Sequence, residues 1–213
     1  MEATYSAGKP SGYYGLERAN VVAELPVPIG RALDVGCGEG GVGRSLKAAG
    51  ATWVSGIEIE PAAAERARAV LDEVYAGPVE TATVTGPFDT VCCYDVLEHL
   101  VDPEAVLVFL RGLVEPGARL HISIPNARHF SLLLDLVLRG TFGYTEWGHR
   151  DVTHLRWYTR RDIVAAVERC GWKVEATNAQ FAGKALYADR LTLKRAREFL
   201  ALQWHVLATA RPA

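Results

Sequence analysis

The chain has no run of basic residues, no C-x-x-C pair and no long apolar stretch. Lys and Arg number 23 against 25 Asp and Glu, a net charge of -2. A protein that grips a phosphate backbone concentrates positive charge on one face, so nucleic acid is not an expected partner. No segment reaches the roughly 18 consecutive apolar residues of a membrane span, and no basic segment leads into an apolar one near the N-terminus. The expectation is a soluble, cytoplasmic protein with no membrane partner. Three of the four cysteines, Cys37, Cys92, Cys93 and Cys170, fall in apolar strand or turn contexts. There a free thiol behaves as a small hydrophobe, which fits a reducing compartment. His149 and His154 lack a matching carboxylate register, so no metal is expected. A length of 213 residues suits one domain, 1–213, with an elaborated lid, and is long enough to bury a core.

What stands out is Ala32-Leu33-Asp34-Val35-Gly36-Cys37-Gly38-Glu39-Gly40-Gly41-Val42-Gly43. An apolar strand runs into a glycine-rich turn and then a helix near Gly41, which brings backbone N–H groups and a helix N-terminus towards a ligand. Gly36, Gly38 and Gly41 satisfy G-x-G-x-x-G, and the acid Glu58 follows at about the distance a dinucleotide site asks. Asp34 separates the two cofactor classes that use such a turn. Its carboxylate repels a pyrophosphate and attracts a cofactor carrying an ammonium and a sulfonium.

The segment Leu33 to Gly40 closely resembles the first motif of class I S-adenosylmethionine-dependent methyltransferases. A second stretch, Phe88-Asp89 through Asp95-Val96-Leu97-Glu98-His99, resembles the family's fourth strand and the turn that passes beneath the methionine part of the cofactor. The resemblance implies an α/β fold, a doubly wound, seven-stranded, mostly parallel sheet (Rossmann-like) with one reversed strand. It implies S-adenosyl-L-methionine as cofactor, bound by Asp34, Gly36, Cys37, Gly38, Glu58, Ile59, Tyr94 and Asp95. Glu58, closing the second strand, takes the ribose hydroxyls in this family. The family's acid for the adenine amino group has no clean match, and Glu80 is a weak candidate.

Along the chain, Tyr14 to Leu25 has helical spacing, Ala62 to Val74 is an alanine-rich helix, and Gly77 to Thr85 reads as a short third strand. Residues 1–25 form an N-terminal cap in which Tyr13, Tyr14 and Arg18 are placed to touch substrate. Pro125 and Asn126 end the fifth strand at the ligand-binding edge of the sheet. Residues 126–158 form an insertion lid dense in aromatics, histidines and arginines, including Tyr144, Trp147 and Arg156. Such a segment supplies apolar walls with a few inward polar groups. Asp151-x-Thr153-His154-Leu155-Arg156 with the following aromatics resembles a subgroup tied to sugar, quinone or natural-product tailoring. Thr159 caps the next helix, and a helix over Tyr187 to Gln203 precedes the last strand.

The function implied is transfer of a methyl group to an oxygen or nitrogen of a small-molecule acceptor, with Tyr13, Tyr14, Asn126, Tyr144, Trp147 and Arg156 as substrate contacts. His99, His129 and His154 are the candidate bases; a carboxylate acceptor needs none. Two other readings stand beside it: a cofactor-binding scaffold without turnover, and a nicotinamide oxidoreductase, which Asp34 disfavours. The acceptor and the oligomeric state are not legible.

Overall fold

The computed structural model of the chain describes residues 12–212; the side chain of Tyr13 falls outside that description. After a short helix α1 (Ala19–Val22), the chain alternates strand and helix: β1 (Gly30–Val35), α2 (Gly41–Ala48), β2 (Ala51–Glu58), α3 (Pro61–Ala67), β3 (Glu73–Ala76) and β4 (Phe88–Tyr94). It continues through α4 (Pro103–Arg111), β5 (Val114–Pro125), α5 (Phe130–Leu134), α6 (Arg160–Arg169), β6 (Trp172–Gln180), α7 (Ala185–Leu191), α8 (Arg197–Leu200) and β7 (Gln203–Ala210). The strands form one seven-stranded sheet in the order β3-β2-β1-β4-β5-β7-β6. β1 pairs parallel with β2 and β4, and β4 with β5, while β7 runs antiparallel to both of its neighbours. This is the expected α/β, Rossmann-like sheet with one reversed strand.

Helices cover both faces, so the central strands are apolar on both sides. Period-two alternation divides them. Leu33, Val35, Val91 and Cys93 pack into one core with Phe88, Leu120 and Trp172, and Ala32, Cys92 and Tyr94 into the other with Leu46 and Val54. All four cysteines are free and buried, filling space as small apolar side chains. Among the described residues no helix is long and apolar enough to cross a membrane.

Four local expectations give way to tertiary contacts. The N-terminal segment is a 3-10 turn at Tyr13–Gly15 followed by α1, separated by Arg18 in the left-handed region (φ 52°). It lies as a strap across the glycine turn, where the Tyr14 carbonyl accepts from Glu39 N–H at 2.7 Å and the Glu17 carbonyl from Ser45 Oγ at 2.7 Å. The third strand is Glu73–Ala76, paired with Ser55 to Glu58, not 77–85; Val79–Thr81 is a 3-10 turn. α3 accordingly stops at Ala67, and the chain bends back through Leu71 to reach the sheet edge. The helix foreseen over 187–203 is split into α7 and α8 by Leu193 and Lys194, both at positive φ.

The β5–α6 insertion leaves the sheet at Asn126 and returns at Tyr158, which form an isolated parallel bridge, with Ala127 N–H donating to the Tyr158 carbonyl at 2.9 Å. Inside it, α5 runs into a π-helical turn at Asp135–Arg139, and Asp135 binds Arg139 at 2.8 Å and Arg150 at 2.5 Å. Thr159 and Asp162 then form a reciprocal capping box at the start of α6.

Trp172 is fully buried between β6 and α4 and donates from Nε1 to the Leu107 carbonyl at 3.1 Å. Trp172→Ala is expected to cost about 3–5 kcal/mol in urea unfolding, through the lost side chain and the cavity it leaves. Trp172→Phe is expected to cost about 1–3 kcal/mol, because the buried indole N–H bond to the Leu107 carbonyl is lost and the smaller ring leaves part of the site unfilled. Equal costs for the two would refute that division.

Candidate active site

The glycine turn carries β1 into α2, and its backbone donors are engaged inside the protein. Gly36 and Cys37 N–H donate to the Ile57 carbonyl at 2.8 and 3.1 Å, Glu39 to Tyr14, and Gly40 to Cys37 at 2.8 Å. Gly38 N–H donates to Glu58 Oε2 at 2.7 Å. Donors that a pyrophosphate would need are thus committed elsewhere, which differs from the expectation that they face a ligand. The glycines serve close packing. A Cβ on Gly38 would collide with the Tyr14 carbonyl, and one on Gly36, at φ 71°, would lie 2.6 Å from Val96 Cγ2.

Beside this turn opens a cavity of about 240 Å³. One end is acidic. Asp34 is 1 % exposed, its Oδ2 has no hydrogen-bond partner among the described residues, and burial together with the neighbouring Glu58 charge pushes its carboxyl up to about 8. Glu58 is also pushed up by burial, against the pull of its backbone donors, with Oε1 accepting from Glu60 N–H at 2.9 Å. An unpartnered buried carboxyl is costly unless a polar or cationic ligand completes it. Gly77, Pro78, Val79 and the exposed Glu80 line the same end.

In the middle, the end of β4 delivers Tyr94 and Asp95. The Tyr94 hydroxyl is turned into the core, 2.8 Å from His121 Nδ1, so its ring and backbone form the wall. Asp95 sits at φ 55°, held by an ion pair with Arg18 and by Gln203 Nε2 at 2.7 Å.

Val96, which packs against Gly36, and His99, Leu100, Val101 and Thr153 line the same cavity. His99 Nδ1 lies 3.1 Å from Thr153 Oγ1 and 3.3 Å from the Thr153 carbonyl. Thr153 in turn donates from Oγ1 and from N–H to Asp151 Oδ1, at 2.7 and 2.9 Å. Behind His99 stands His154, its ring centroid 4.7 Å away edge-on, with Nε2 3.9 Å from Glu98 Oε1. Glu98 is fully buried, its carboxyl pushed well up by desolvation first and by the Asp95 charge second, and its oxygens have no hydrogen-bond partner among the described residues. Donor atoms of Glu98, His99 and His154 all lie within 4.8 Å of one another. That cluster could not be read from spacing, because His154 comes from the insertion.

Residues 15–177 match a family model described as a methyltransferase domain. The chain belongs to that family. It is similar to proteins named ubiquinone biosynthesis O-methyltransferase from Thiobacillus denitrificans, 33% identical over 144 residues, and from Aromatoleum aromaticum, 36% identical over 135 residues. These matches cover 60% and 55% of this chain and 62% and 57% of the relatives, so the chain spans about six-tenths of their length. Among solved structures, an S-adenosylmethionine-dependent methyltransferase from Mesorhizobium loti superposes with TM-score 0.63 at 18% identity, over 89% of this chain and 95% of that one. Another from Clostridium acetobutylicum gives TM-score 0.67 at 12% identity, over 91% of each chain. Both share the fold.

The cavity brings together Tyr14, Asp34, Gly36, Cys37, Gly38, Glu58, Ile59, Tyr94, Asp95 and His99 from the residues singled out in sequence. Arg18 and Glu80, also singled out in sequence, line it too, and it adds Leu16 together with Val96 and Thr153, which lie inside the sequence motifs without an expected role there. The other substrate and base candidates lie off its wall. Asn126 is fully buried and donates to the Glu198 and Ala201 carbonyls, both at 2.8 Å. Tyr144 and Trp147 are exposed on the insertion. Arg156 donates to the Leu155 carbonyl at 3.2 Å and to the Val101 carbonyl at 2.5 Å. His129 pairs with Ser131 at 2.8 Å, and burial, then the His149 and Arg150 charges, lowers it to about 4. The side chain of Tyr13 lies outside the described residues.

The acidic end fits the S-adenosylmethionine of this family, whose positive charge would complete Asp34. A cationic ligand holds Asp34 ionised, so binding below pH 8 releases a proton. Affinity is therefore expected to rise with pH, by up to about tenfold per unit, and to level off above about 8. Asp34→Asn should bind more weakly and without that slope. Calorimetry in two buffers of different ionisation enthalpy reads the released proton; a pH-independent affinity in the unaltered protein contradicts the assignment.

Proposed function

We propose that this chain transfers the methyl group of S-adenosylmethionine to an oxygen of a quinone-type small molecule, with His99 as general base. The observation that carries the reading is one cavity whose wall holds both the buried carboxyls Asp34 and Glu58 and the imidazole of His99. The name shared by the curated relatives supports an oxygen acceptor of this class. Balanced charge and the absence of a basic tract support a metabolite over a nucleic acid, and the four free, buried cysteines suit a reducing, cytoplasmic setting.

When bound, the cofactor supplies an electrophilic methyl carbon on a sulfonium leaving group. The protein's own work is alignment and proton removal. Asp34 neutralises positive charge within a buried wall. Glu58, fixed by the Gly38 and Glu60 N–H groups, offers its remaining lone pairs to ribose hydroxyls. Asp95, tied to Arg18 and Gln203, shapes the cavity wall. Leu100 and Val101 give an apolar floor for an aromatic ring, and His99 takes the proton of the acceptor hydroxyl as the oxygen attacks. No metal is assigned a role in this scheme.

The test is incubation with radiolabelled S-adenosylmethionine and a panel of hydroxylated quinols, catechols and sugars, followed by mass spectrometry. Label is expected on a quinol or catechol oxygen. His99→Gln should lower kcat by about 10²–10⁴ while leaving cofactor affinity within about twofold. Tight cofactor binding with no labelled product from any acceptor would favour the scaffold reading. Turnover should survive dialysis against a chelator; a loss restored by a divalent cation would instead place an ion among Glu98, His99 and His154.

A further inference from the structure

We infer that Asp151 and Thr153 are positioning residues that fix the tautomer of His99, keeping the proton on Nδ1 and the lone pair on Nε2. The inference rests on the reading of His99 as the base, and adds to it a pair of residues from the insertion. Asp151 is 1 % exposed, and its Oδ1 receives both the Thr153 N–H and the Thr153 hydroxyl. The hydroxyl hydrogen is thereby committed to Asp151, so Thr153 Oγ1 can only accept on its other side. The Thr153 carbonyl accepts by nature. Both oxygens face the same nitrogen, His99 Nδ1, at 3.1 and 3.3 Å. Two acceptors on one side of an imidazole require an N–H there, and the partner of one ring nitrogen decides which of the two is protonated.

A general base needs a lone pair at the reacting side and a ring that does not rotate as it takes the proton. Asp151 secures both indirectly. It closes a tight turn with Thr153, so the backbone carbonyl and the hydroxyl are presented together. Thr153 is itself on the cavity wall, so the brace sits beside the acceptor. The T-shaped contact with His154, whose Nε2 lies 3.9 Å from buried Glu98 Oε1, restricts rotation of the His99 ring further. When the ring becomes cationic, the Asp151 charge reaches it through one hydroxyl, the arrangement expected to steady an imidazolium.

Nitrogen-15 NMR of the histidine-labelled protein tests the tautomer without turnover. The unaltered protein should show His99 as the Nδ1–H form. Thr153→Val and Asp151→Ala, which leave only the Thr153 carbonyl as a fixed acceptor on Nδ1, should raise the share of the Nε2–H form and lower kcat by about tenfold, with the cofactor dissociation constant unchanged. Thr153→Ser, which keeps the hydroxyl, should restore both the tautomer and kcat. His99 found as the Nε2–H form in the unaltered protein overturns the inference. So does a Thr153→Val protein with unchanged tautomer and kcat, a variant that remains informative if Asp151→Ala does not fold. If His99→Gln retains full turnover while the tautomer still follows Thr153, the base assignment fails and the positioning stands.

Discussion

The site depends on how the turn after β1 disposes of its backbone donors. In a dinucleotide site those N–H groups meet phosphate oxygens. Here the carbonyls of Ile57, Cys37 and Tyr14 and the carboxylate of Glu58 take them, so the turn presents no row of free donors along Gly36 to Gly40. The cavity beside it is therefore governed by side-chain carboxyls. Glu58 is held rigid by the turn it satisfies, and its charge helps to keep Asp34 protonated until a cation arrives. Glycine is required because the strap bearing Tyr14 and Leu16 lies directly on the turn, leaving no room for a Cβ at Gly38 or Gly41.

The same strap links the acidic end to the centre of the cavity. Arg18, in the left-handed region, reaches from it to Asp95, which is itself at positive φ. Two uncommon backbone conformations are thus joined by one buried-edge ion pair, and Gln203 on β7 completes it. Such strain survives where the surroundings over-determine it. Asp95 accordingly serves as the hub where strap, β4 and β7 meet, a role beyond that of a single cofactor contact.

The parts of this design legible in sequence are those whose chemistry is local. β1, its turn and α2 are contiguous, Glu58 closes the adjacent strand, and Asp95 to His99 follow β4 without a break. The third strand was not legible, since a four-residue edge strand with two half-buried side chains carries too little pattern to compete with Val79, Val84 and their neighbours, which are buried for a different reason. Asn126 looked like a ligand contact at the sheet edge, yet it bonds carbonyls of Glu198 and Ala201, more than 70 residues away. Composition marked the insertion as aromatic but could not say which face Tyr144 and Trp147 occupy. The motif Asp151 to Arg156 was visible as a pattern, while the division of labour within it came only from distances.

That division bears on how acceptor choice and proton removal are coupled. The backbone N–H groups of Leu155 and Arg156 both donate to the Glu98 carbonyl, at 2.8 and 3.0 Å, and Arg156 reaches the Val101 carbonyl. The insertion is thereby clamped onto the turn that bears His99, through main-chain bonds that tolerate many side chains. Thr153 lies two residues before the clamp and on the cavity wall. A change that lengthens or shortens the insertion near 151–156 would shift the wall that meets the acceptor and the brace that orients His99 by the same displacement. With His99 as the proposed base, specificity and chemistry are therefore not separable modules in this fold. On the proposed assignment the segment that frames the acceptor also holds the proposed base, and variation should be best tolerated farther out, around the exposed π-helical turn at 135–139, whose residues are not among those lining the cavity.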